Sequence, residues 1–125
     1  MDDAKVWLIT GASRGMGTHF AAAALDAGHA VIATGRRTTD VADALPASRR
    51  LLVAALDVTN QDDADAAVAA GVERFGRVDA VVNSAGASFK GYFEEMSPRQ
   101  VEQQLDVNLL GPMNVTRAAL PVMRQ

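Results

Sequence analysis

Short apolar runs alternate with longer helix-like segments along this chain, and that alternation limits the possible folds more than any other feature. The runs lie at residues 6–9, 29–34, 51–56 and 78–83. Each is continuous and ends at or near turn residues such as glycine and aspartate, which is typical of a β-strand buried on both faces. The runs are too far apart along the chain for hairpins, so we expect parallel pairing through helical crossovers. The pattern predicts an α/β fold built on a doubly wound parallel sheet.

The segments between these strands are predicted to be helices. In the third of them, Val68, Val72 and Phe75 recur at helical spacing, and Thr59 with Asp62 resembles a capping pair at its start. The first two predicted helices cover residues 15–27 and 40–45, and the third runs from the capping pair to Gly76. The last is a long helix that begins at Ser97-Pro98. Gly111-Pro112 and Pro121 are candidate kinks in it.

Composition and charge exclude several classes of protein. The 125 residues suit one domain, and the absence of cysteine excludes a disulfide framework, a thiolate metal site and a cysteine nucleophile. A net charge of −3 offers no basic field for nucleic acid, and no apolar run approaches the ~20 residues that span a bilayer. His19 and His29 lack a second ligand at metal-binding spacing, so no metal site is expected. Asp2 and Asp3 are unlike the basic start of a signal peptide, which makes the cytoplasm the expected location.

The sharpest local motif is a glycine turn, Thr10-Gly11-Ala12-Ser13-Arg14-Gly15-Met16-Gly17, which follows the first strand and opens the first helix. Glycines there allow a tight turn and let backbone N–H groups approach a pyrophosphate. The helix start adds unpaired donors and a positive dipole end. The spacing is neither G-x-G-x-x-G nor a P-loop, since Phe20 stands three residues after the last glycine and no Lys-Ser/Thr pair follows. Two interpretations remain, a phosphate-binding turn and a strand-to-helix turn without a ligand.

Three further motifs follow the glycine turn. Asp57-Val58 ends the third apolar run, Asn83-Ser84-Ala85-Gly86 follows the fourth, and Asn108 lies inside the long final helix. In this order and spacing, and over essentially the whole chain, the four motifs resemble those of the short-chain dehydrogenase/reductase family. Serine at the second position of the Asn-Asn-Ala-Gly motif is the one mild departure. The resemblance implies a Rossmann-type sheet with strand order 3-2-1-4, truncated after about four strands. It identifies residues 1–125 as the NADP-binding N-terminal half, with the C-terminal catalytic half absent.

The resemblance also implies a role for particular residues. It implies that Asp57 hydrogen-bonds an adenine, that Ala85-Gly86 lets the backbone pass close to a ribose, and that Asn108 serves the catalytic site. The residues implied for cofactor binding are Gly11, Ser13, Arg14, Gly15, Met16, Gly17, Arg36, Arg37, Asp57, Val58, Asn83, Ala85 and Gly86.

Arginines at the end of the second strand bear on the choice of cofactor. In a Rossmann-type sheet an acid at this point reads a free ribose 2′-OH, whereas a cation reads a 2′-phosphate. Here Arg36 and Arg37 follow the strand, and the first acid is Asp40. Arg14, in the glycine turn, faces the same region in similar family members. The alternative is a pair of solvated loop charges. We expect NADP(H) to be preferred over NAD(H).

The family's proton-transfer residues are not found in this chain. Similar enzymes move a hydride between nicotinamide and a substrate carbon with the help of a serine, a tyrosine and a lysine four residues after the tyrosine. The single tyrosine, Tyr92, has Met96 four residues on, and Lys5 and Lys90 stand at other spacings. We therefore expect an NADP(H)-dependent oxidoreductase that interconverts a small-molecule carbonyl and alcohol, and we expect residues 1–125 alone to be inactive.

Other functions stay open at this point. A non-catalytic dinucleotide-binding module or remnant would carry the same signature. An epimerase or sensor-type relative usually spaces its glycines three and three apart, unlike the four-and-two spacing here. Phe89, Tyr92 and Phe93 are candidates either for a substrate mouth or for packing. We also expect a homo-oligomer, a dimer or a tetramer, because similar family members pair through the long helix that begins near Ser97.

Overall fold

The sheet is parallel throughout. The computed structural model describes residues 3–88 and 90–125, so the expectations for Asp2 and Phe89 lie outside the described residues. Within those ranges, four strands pair in the order β3-β2-β1-β4. This order confirms the doubly wound α/β prediction. The strands are β1 (Val6–Ile9), β2 (Ala30–Gly35), β3 (Leu51–Ala55) and β4 (Ala80–Val82).

Helices cover both faces of the sheet, as expected for parallel strands joined by crossovers. They are α1 (Gly15–Asp26), α2 (Thr38–Ala44), α3 (Gln61–Phe75), α4 (Pro98–Leu105) and α5 (Gly111–Met123). A 3₁₀ turn at Phe93–Glu95 precedes α4, and a π-helical turn at Asp106–Leu110 joins α4 to α5. None of the helices in the described ranges is long and apolar enough to cross a membrane.

Each face of the sheet has its own apolar core. Ile9 and Val31 point to the side of α1 and α2, whereas Leu8 and Ile32 point to the side of α3 and α5. All four side chains are fully buried. A Cβ at Gly71 would overlap the Ile32 side chain, so a glycine is what lets α3 lie this close to β2. The alternation of neighbouring residues between the two cores explains why the strands are continuous apolar runs.

Strand β4 is shorter than the predicted span of 78–83. At its start, Asp79 turns its carboxylate toward β1, and Oδ2 accepts from the Val6 N–H at 2.8 Å. At its end, the Thr10 hydroxyl accepts from the Ser84 N–H at 3.1 Å. Side-chain hydrogen bonds thus add to the backbone bonds at both ends, where the Asp79 N–H donates to the Val6 carbonyl and the Thr10 N–H donates to the Val82 carbonyl. An apolar pattern does not reveal these side-chain bonds.

The start of α3 also differs from the prediction. Asn60, not Thr59, caps this helix, and its Oδ1 accepts from the Asp63 N–H at 3.2 Å. Thr59 is engaged elsewhere, because its N–H and hydroxyl both donate to Asp57 Oδ1. At the start of α4 the predicted cap is confirmed, with the Ser97 side chain in a reciprocal capping box.

The long final helix is irregular just before the predicted kink. The Gly111 N–H bonds to the Asp106 carbonyl, five residues back, in the π-helical turn. Pro112 has no N–H, so the Asn108 carbonyl lacks the donor that an unbroken α-helix would give it. The irregularity therefore lies upstream of Gly111-Pro112, and α5 continues through Pro121 to its end.

Candidate functional site

A cleft of ≈ 780 Å³ lies at the carboxyl-terminal edge of the sheet. Strand order reverses there, since β1 is flanked by β2 on one side and by β4 on the other. Open α/β sheets bind ligands at such a switch point. The cleft is lined by Gly11, Ser13, Arg14, Gly15, Gly35, Arg36, Leu56, Asp57, Val58, Thr59, Ser84, Ala85, Gly86, Ala87, Gln103, Asp106 and Val107.

The glycine turn forms one wall of this cleft. Gly11 and Gly15 have φ values of 62° and 63°, in the left-handed region that favours glycine. A Cβ at Gly15 would meet nothing within 4 Å, so the backbone there is open to the cleft. Arg14 precedes α1, and no side chain in the described ranges caps this helix. The first turn of α1 therefore brings unpaired N–H groups and the positive end of its dipole to the cleft wall.

Thr10 joins this wall to the opposite one. Its buried Oγ1 accepts from the Ser84 and Ala85 N–H groups, both at 3.1 Å. A Cβ at Gly11 would lie 2.8 Å from Ala85 Cα, so the loops after β1 and β4 touch directly. Gly17 is needed for a different contact, because a Cβ there would overlap the Gly11 carbonyl oxygen. Thr10 belongs to the glycine-turn motif, but the motif does not indicate its hydrogen bonds with the loop after β4.

Arginines extend the cleft on the β2 side. Arg14 and Arg36 line both the cleft and an adjoining cavity of ≈ 800 Å³, and Arg37 lines the adjoining cavity only. Asp40 and Asp43 lie on the same wall. No ion pair in the described part of the chain ties these arginines to either carboxylate. The guanidinium groups are therefore available to an anion.

The loop after β3 holds its shape through side chains. Asp57 Oδ1 accepts from the Thr59 N–H at 3.0 Å and from the Thr59 hydroxyl at 2.7 Å. The Asp57 N–H donates to Asp63 Oδ2 at 3.0 Å, and the Val58 carbonyl accepts from Asn114 Nδ2 at 2.9 Å. Thr59 was not predicted to be a site residue. Its position two residues after Asp57 was the available signal, because an aspartate often bonds the backbone two residues on. No local pattern pointed to Asn114.

Asn108 braces the loop after β4. Its Oδ1 accepts from the Ala87 N–H at 2.8 Å, and its Nδ2 donates to the Ala87 carbonyl at 2.6 Å. A Cβ at Gly86 would lie 3.4 Å from Asn108 Oδ1. The amide thus bonds both backbone polar groups of Ala87, which lines the cleft while Asn108 itself does not.

The structure brings most of the predicted residues to one place. Met16 is 67% exposed, and Tyr92 and Phe93 are 74% and 81% exposed and are not part of the cleft wall. The predicted residues on the cleft wall are Gly11, Ser13, Arg14, Gly15, Arg36, Asp57, Val58, Ala85 and Gly86. Those beside or behind it are Met16, Gly17, Arg37, Asn83 and Asn108.

Residues 3–88 and 90–125 contain no group of three or more histidine, cysteine, aspartate or glutamate side chains that could hold a metal ion. The groups at the cleft that could hold an anion are the backbone N–H donors at the start of α1 and the guanidinium groups of Arg14 and Arg36.

Comparison with known proteins decides the family. The family model described as short chain dehydrogenase matches residues 5–125. The chain belongs to the short-chain dehydrogenase family. Among curated relatives, the oxidoreductase BOA17 of Botryotinia fuckeliana is 39% identical over 123 residues, which cover 97% of this chain and 45% of that protein.

Solved structures of family members share the fold. A short-chain dehydrogenase from Streptomyces avermitilis superposes with a TM-score of 0.91 at 43% identity, covering 99% of this chain and 46% of the other. A 3-ketoacyl-(acyl-carrier-protein) reductase from Brucella melitensis, complexed with NADH, gives 0.88 at 30% identity over 94% and 50% of the two chains. An alcohol dehydrogenase from Thermococcus sibiricus, complexed with 5-hydroxy-NADP, gives 0.89 at 30% identity over 98% and 54%. The chain thus spans about half the length of the family members that it matches.

Proposed function

We propose that the protein is an NADP(H)-dependent oxidoreductase that interconverts a carbonyl and an alcohol on a small molecule, and that residues 1–125 form its cofactor-binding half. The observation that carries this proposal is the glycine turn, which presents an uncapped helix N-terminus and an open backbone at Gly15 to a cleft that Arg36 flanks.

The cleft fits a dinucleotide. The uncapped first turn of α1 supports a pyrophosphate at Gly15, because unpaired N–H groups and a positive dipole end favour an anion. A side chain at this glycine would fill the space that the phosphates need. We assign the adenine to the side formed by Asp57 and Val58, and the nicotinamide end to the side formed by Ala85-Gly86 and Ala87.

The cofactor preference rests on the arginines. Solved family members are described with NADH and with 5-hydroxy-NADP, so family membership leaves the preference open. In this chain, β2 ends at Gly35, and Arg36 follows it on the wall that Arg14 shares. Two guanidinium groups there favour a 2′-phosphate over a free hydroxyl.

The residues of this chain bind and orient the dinucleotide, and they do not supply the proton for the carbonyl oxygen. A bound nicotinamide would supply or accept a hydride. Proton transfer at the carbonyl oxygen needs a group such as a phenol activated by a nearby cation. The titratable side chains on the cleft wall are Arg14, Arg36, Asp57 and Asp106, and none is a phenol or an amine. We assign the proton-transfer groups to the catalytic half that this chain does not include.

The assembly that we propose is a homo-oligomer formed through the long helix. Large apolar side chains are exposed along α4, the π-helical turn and α5 in the described chain. They are Leu105, Leu109, Leu110, Met113 and Leu120.

The test combines binding and turnover. Calorimetric titration of the natural-length protein should show tighter binding of NADPH than of NADH, and NADPH oxidation with a panel of ketones and aldehydes should show turnover. Residues 1–125 alone should show none, since general acid assistance typically contributes ~10²–10⁴ in rate. Binding without turnover by the natural-length protein would support a non-catalytic dinucleotide-binding module. No binding of either dinucleotide would overturn the proposal.

A further inference from the structure

We propose that Asn114 is a positioning residue that fixes the adenine side of the cleft from the helix that also carries Asn108. The inference rests on the proposed function, because it takes the loop after β3 to be the adenine side. It concerns a residue that lies outside the cleft and that no cofactor motif includes.

The first step is a hydrogen bond between distant elements. Asn114, a half-buried residue of α5, donates from Nδ2 to the Val58 carbonyl at 2.9 Å. Gln61, the first residue of α3, in turn donates from Nε2 to the Asn114 carbonyl at 2.9 Å and to Asp65 Oδ1 at 3.1 Å. These bonds join α5, the loop after β3 and the start of α3, although Asn114 lies more than fifty residues from either partner along the chain.

The second step is a tight apolar contact at the same point. Val58 is only 6% exposed, and a Cβ at Gly111 would lie 2.6 Å from Val58 Cγ2. Glycine is therefore required for α5 to approach the loop this closely. Gly111 holds the side chain of Val58 while Asn114 holds its carbonyl, so the cleft residue is fixed on two sides.

The third step is the position of Asn108 on the same helical run. Asn108 forms reciprocal hydrogen bonds with the Ala87 backbone, at 2.8 and 2.6 Å. One helical run thus presents two amide side chains, each bonded to the backbone of a different cleft loop. Asn108 braces the loop after β4, on the proposed nicotinamide side, and Asn114 braces the loop after β3.

The two braces should be separable in function. Loss of the Asn114 amide leaves the Val58 carbonyl without this donor, and an unpaired polar group in a partly buried place is costly. The loop after β3 would then shift or loosen, while the Asn108 bonds with Ala87 stay in place. The consequence is weaker cofactor binding with the reacting end of the site intact.

The first experiment measures ligand binding by the natural-length protein. The variant is Asn114→Leu, which is similar in size and has no donor. NADPH and 2′,5′-ADP should both bind about tenfold more weakly, by the same factor, since one hydrogen bond to the adenine-side loop is lost. Thr116→Val, two residues further along α5 and outside the cleft, is the matched control and should bind both as the parent does.

The second experiment separates a positioning role from general destabilisation. In unliganded protein, Asn114→Leu should speed amide hydrogen exchange at Thr59 and Asn60 and leave exchange in β1 unchanged. In turnover, KM for NADPH should rise about tenfold while kcat at saturating NADPH stays within about twofold of the parent. If Asn114→Leu does not fold, Gln61→Leu removes the supporting bond and should weaken both ligands by about two- to threefold.

The outcomes distinguish this inference from the proposed function. A parent that binds neither NADPH nor 2′,5′-ADP overturns the proposed function. A parent that binds both, with an Asn114→Leu variant that binds them equally well, overturns only the role of Asn114. Weaker binding of NADPH with unchanged binding of 2′,5′-ADP would place the loss at the nicotinamide end of the site. That result would also overturn the role of Asn114.

Discussion

Gly11, Gly15 and Gly17 are the same residue type, yet each meets a different requirement of the glycine turn. Gly11 lies against Ala85, Gly17 lies against the Gly11 carbonyl, and Gly15 alone borders open space. Substitution at the first two would disturb packing inside the protein. Gly15 is therefore the position at which a ligand effect can be separated from a folding effect.

Gly15→Ala should weaken NADPH binding by tenfold or more, because a methyl group would lie over the open backbone at the start of α1. The left-handed φ of 63° should also cost about 1–2 kcal/mol of stability. Gly76→Ala is a matched control, since Gly76 has a φ of 82°, no neighbour within 4 Å of a Cβ, and a place at the end of α3 away from the cleft. Calorimetry and urea unfolding should show similar stability losses for both variants and a binding loss for Gly15→Ala only. Equal NADPH affinity in the two variants would show that the pyrophosphate does not bind at this turn.

Arg36→Asp should lower the affinity for NADPH more than that for NADH, by about 1.5–3 kcal/mol, because a charged hydrogen bond to the 2′-phosphate is lost. Arg50→Asp makes the same change in net charge at an exposed position outside the cleft. It should lower the affinities for NADPH and NADH slightly and by the same factor. Titration of the two variants with both cofactors tests this, and an equal loss for NADPH and NADH in Arg36→Asp contradicts the assignment.

At the scale of elements, the sequence is informative where a structure is decided locally. The strands, their parallel pairing and the Ser97 cap follow from apolar runs and from cap chemistry. The cap of α3 and the π-helical turn are local and were still not predicted, because Thr59 and Asn60 are both possible caps and Gly111-Pro112 indicates a kink but not its hydrogen-bond pattern. The ends of β4 were not predicted because they depend on contacts between distant residues. Asp79 takes the Val6 N–H, for example, across 73 positions of the chain. The same division holds in the cleft: the motifs place residues on the cleft wall, whereas the bond from Asn114 to the Val58 carbonyl forms only because α5 meets the loop after β3.

Asp79, which bonds β1 at the start of β4, is a carboxyl whose pKa is lowered in the fold. Burial opposes its ionisation, but the hydrogen bond from the Val6 N–H and the Arg77 guanidinium, 2.6 Å away, outweigh burial and hold the pKa of Asp79 below its ordinary value. A carboxyl whose pKa is lowered by folding stabilises the protein above the unfolded pKa of about 3.9, and this contribution is lost as the pH falls through the folded value.

Asp79→Asn should therefore be less stable than the parent at neutral pH, and the difference should shrink as the pH falls below about 4. Urea unfolding of both proteins across the acid range measures it. A difference that stays constant from pH 7 to pH 3 would show that the charge of Asp79 is not what stabilises the strand pair.

At the scale of the whole molecule, the cleft and the exposed apolar surface of the long helical run are formed by different residues. The described loops that line the cleft all come from the carboxyl-terminal edge of the sheet. Five of the nine exposed large apolar side chains in the described residues lie on the long helical run, where Leu105 is 52% and Leu109 53% exposed. Exposed apolar side chains gathered on one helical run favour the proposed contact between copies of the chain.

Light scattering of the natural-length protein at micromolar concentration should give the mass of a dimer or a tetramer. Leu105→Glu should lower that mass, because a carboxylate in an apolar interface is costly to bury. Phe20→Glu, at an exposed apolar residue of α1, should leave it unchanged. A monomeric parent, or dissociation caused equally by both variants, would exclude the long helix as the contact.

The π-helical turn between α4 and α5 makes chain length itself a determinant of the cleft. Its hydrogen bond closes over one residue more than that of an α-helical turn. Deleting one residue there would advance α5 by about 1.5 Å and rotate it by about 100° against α4. Asn114 would then turn away from Val58 whenever Asn108 kept its bonds with Ala87. The phase of this helix, as much as the identity of its side chains, decides whether Asn108 and Asn114 can both reach their loops, so the turn should accept substitutions more readily than any change in length.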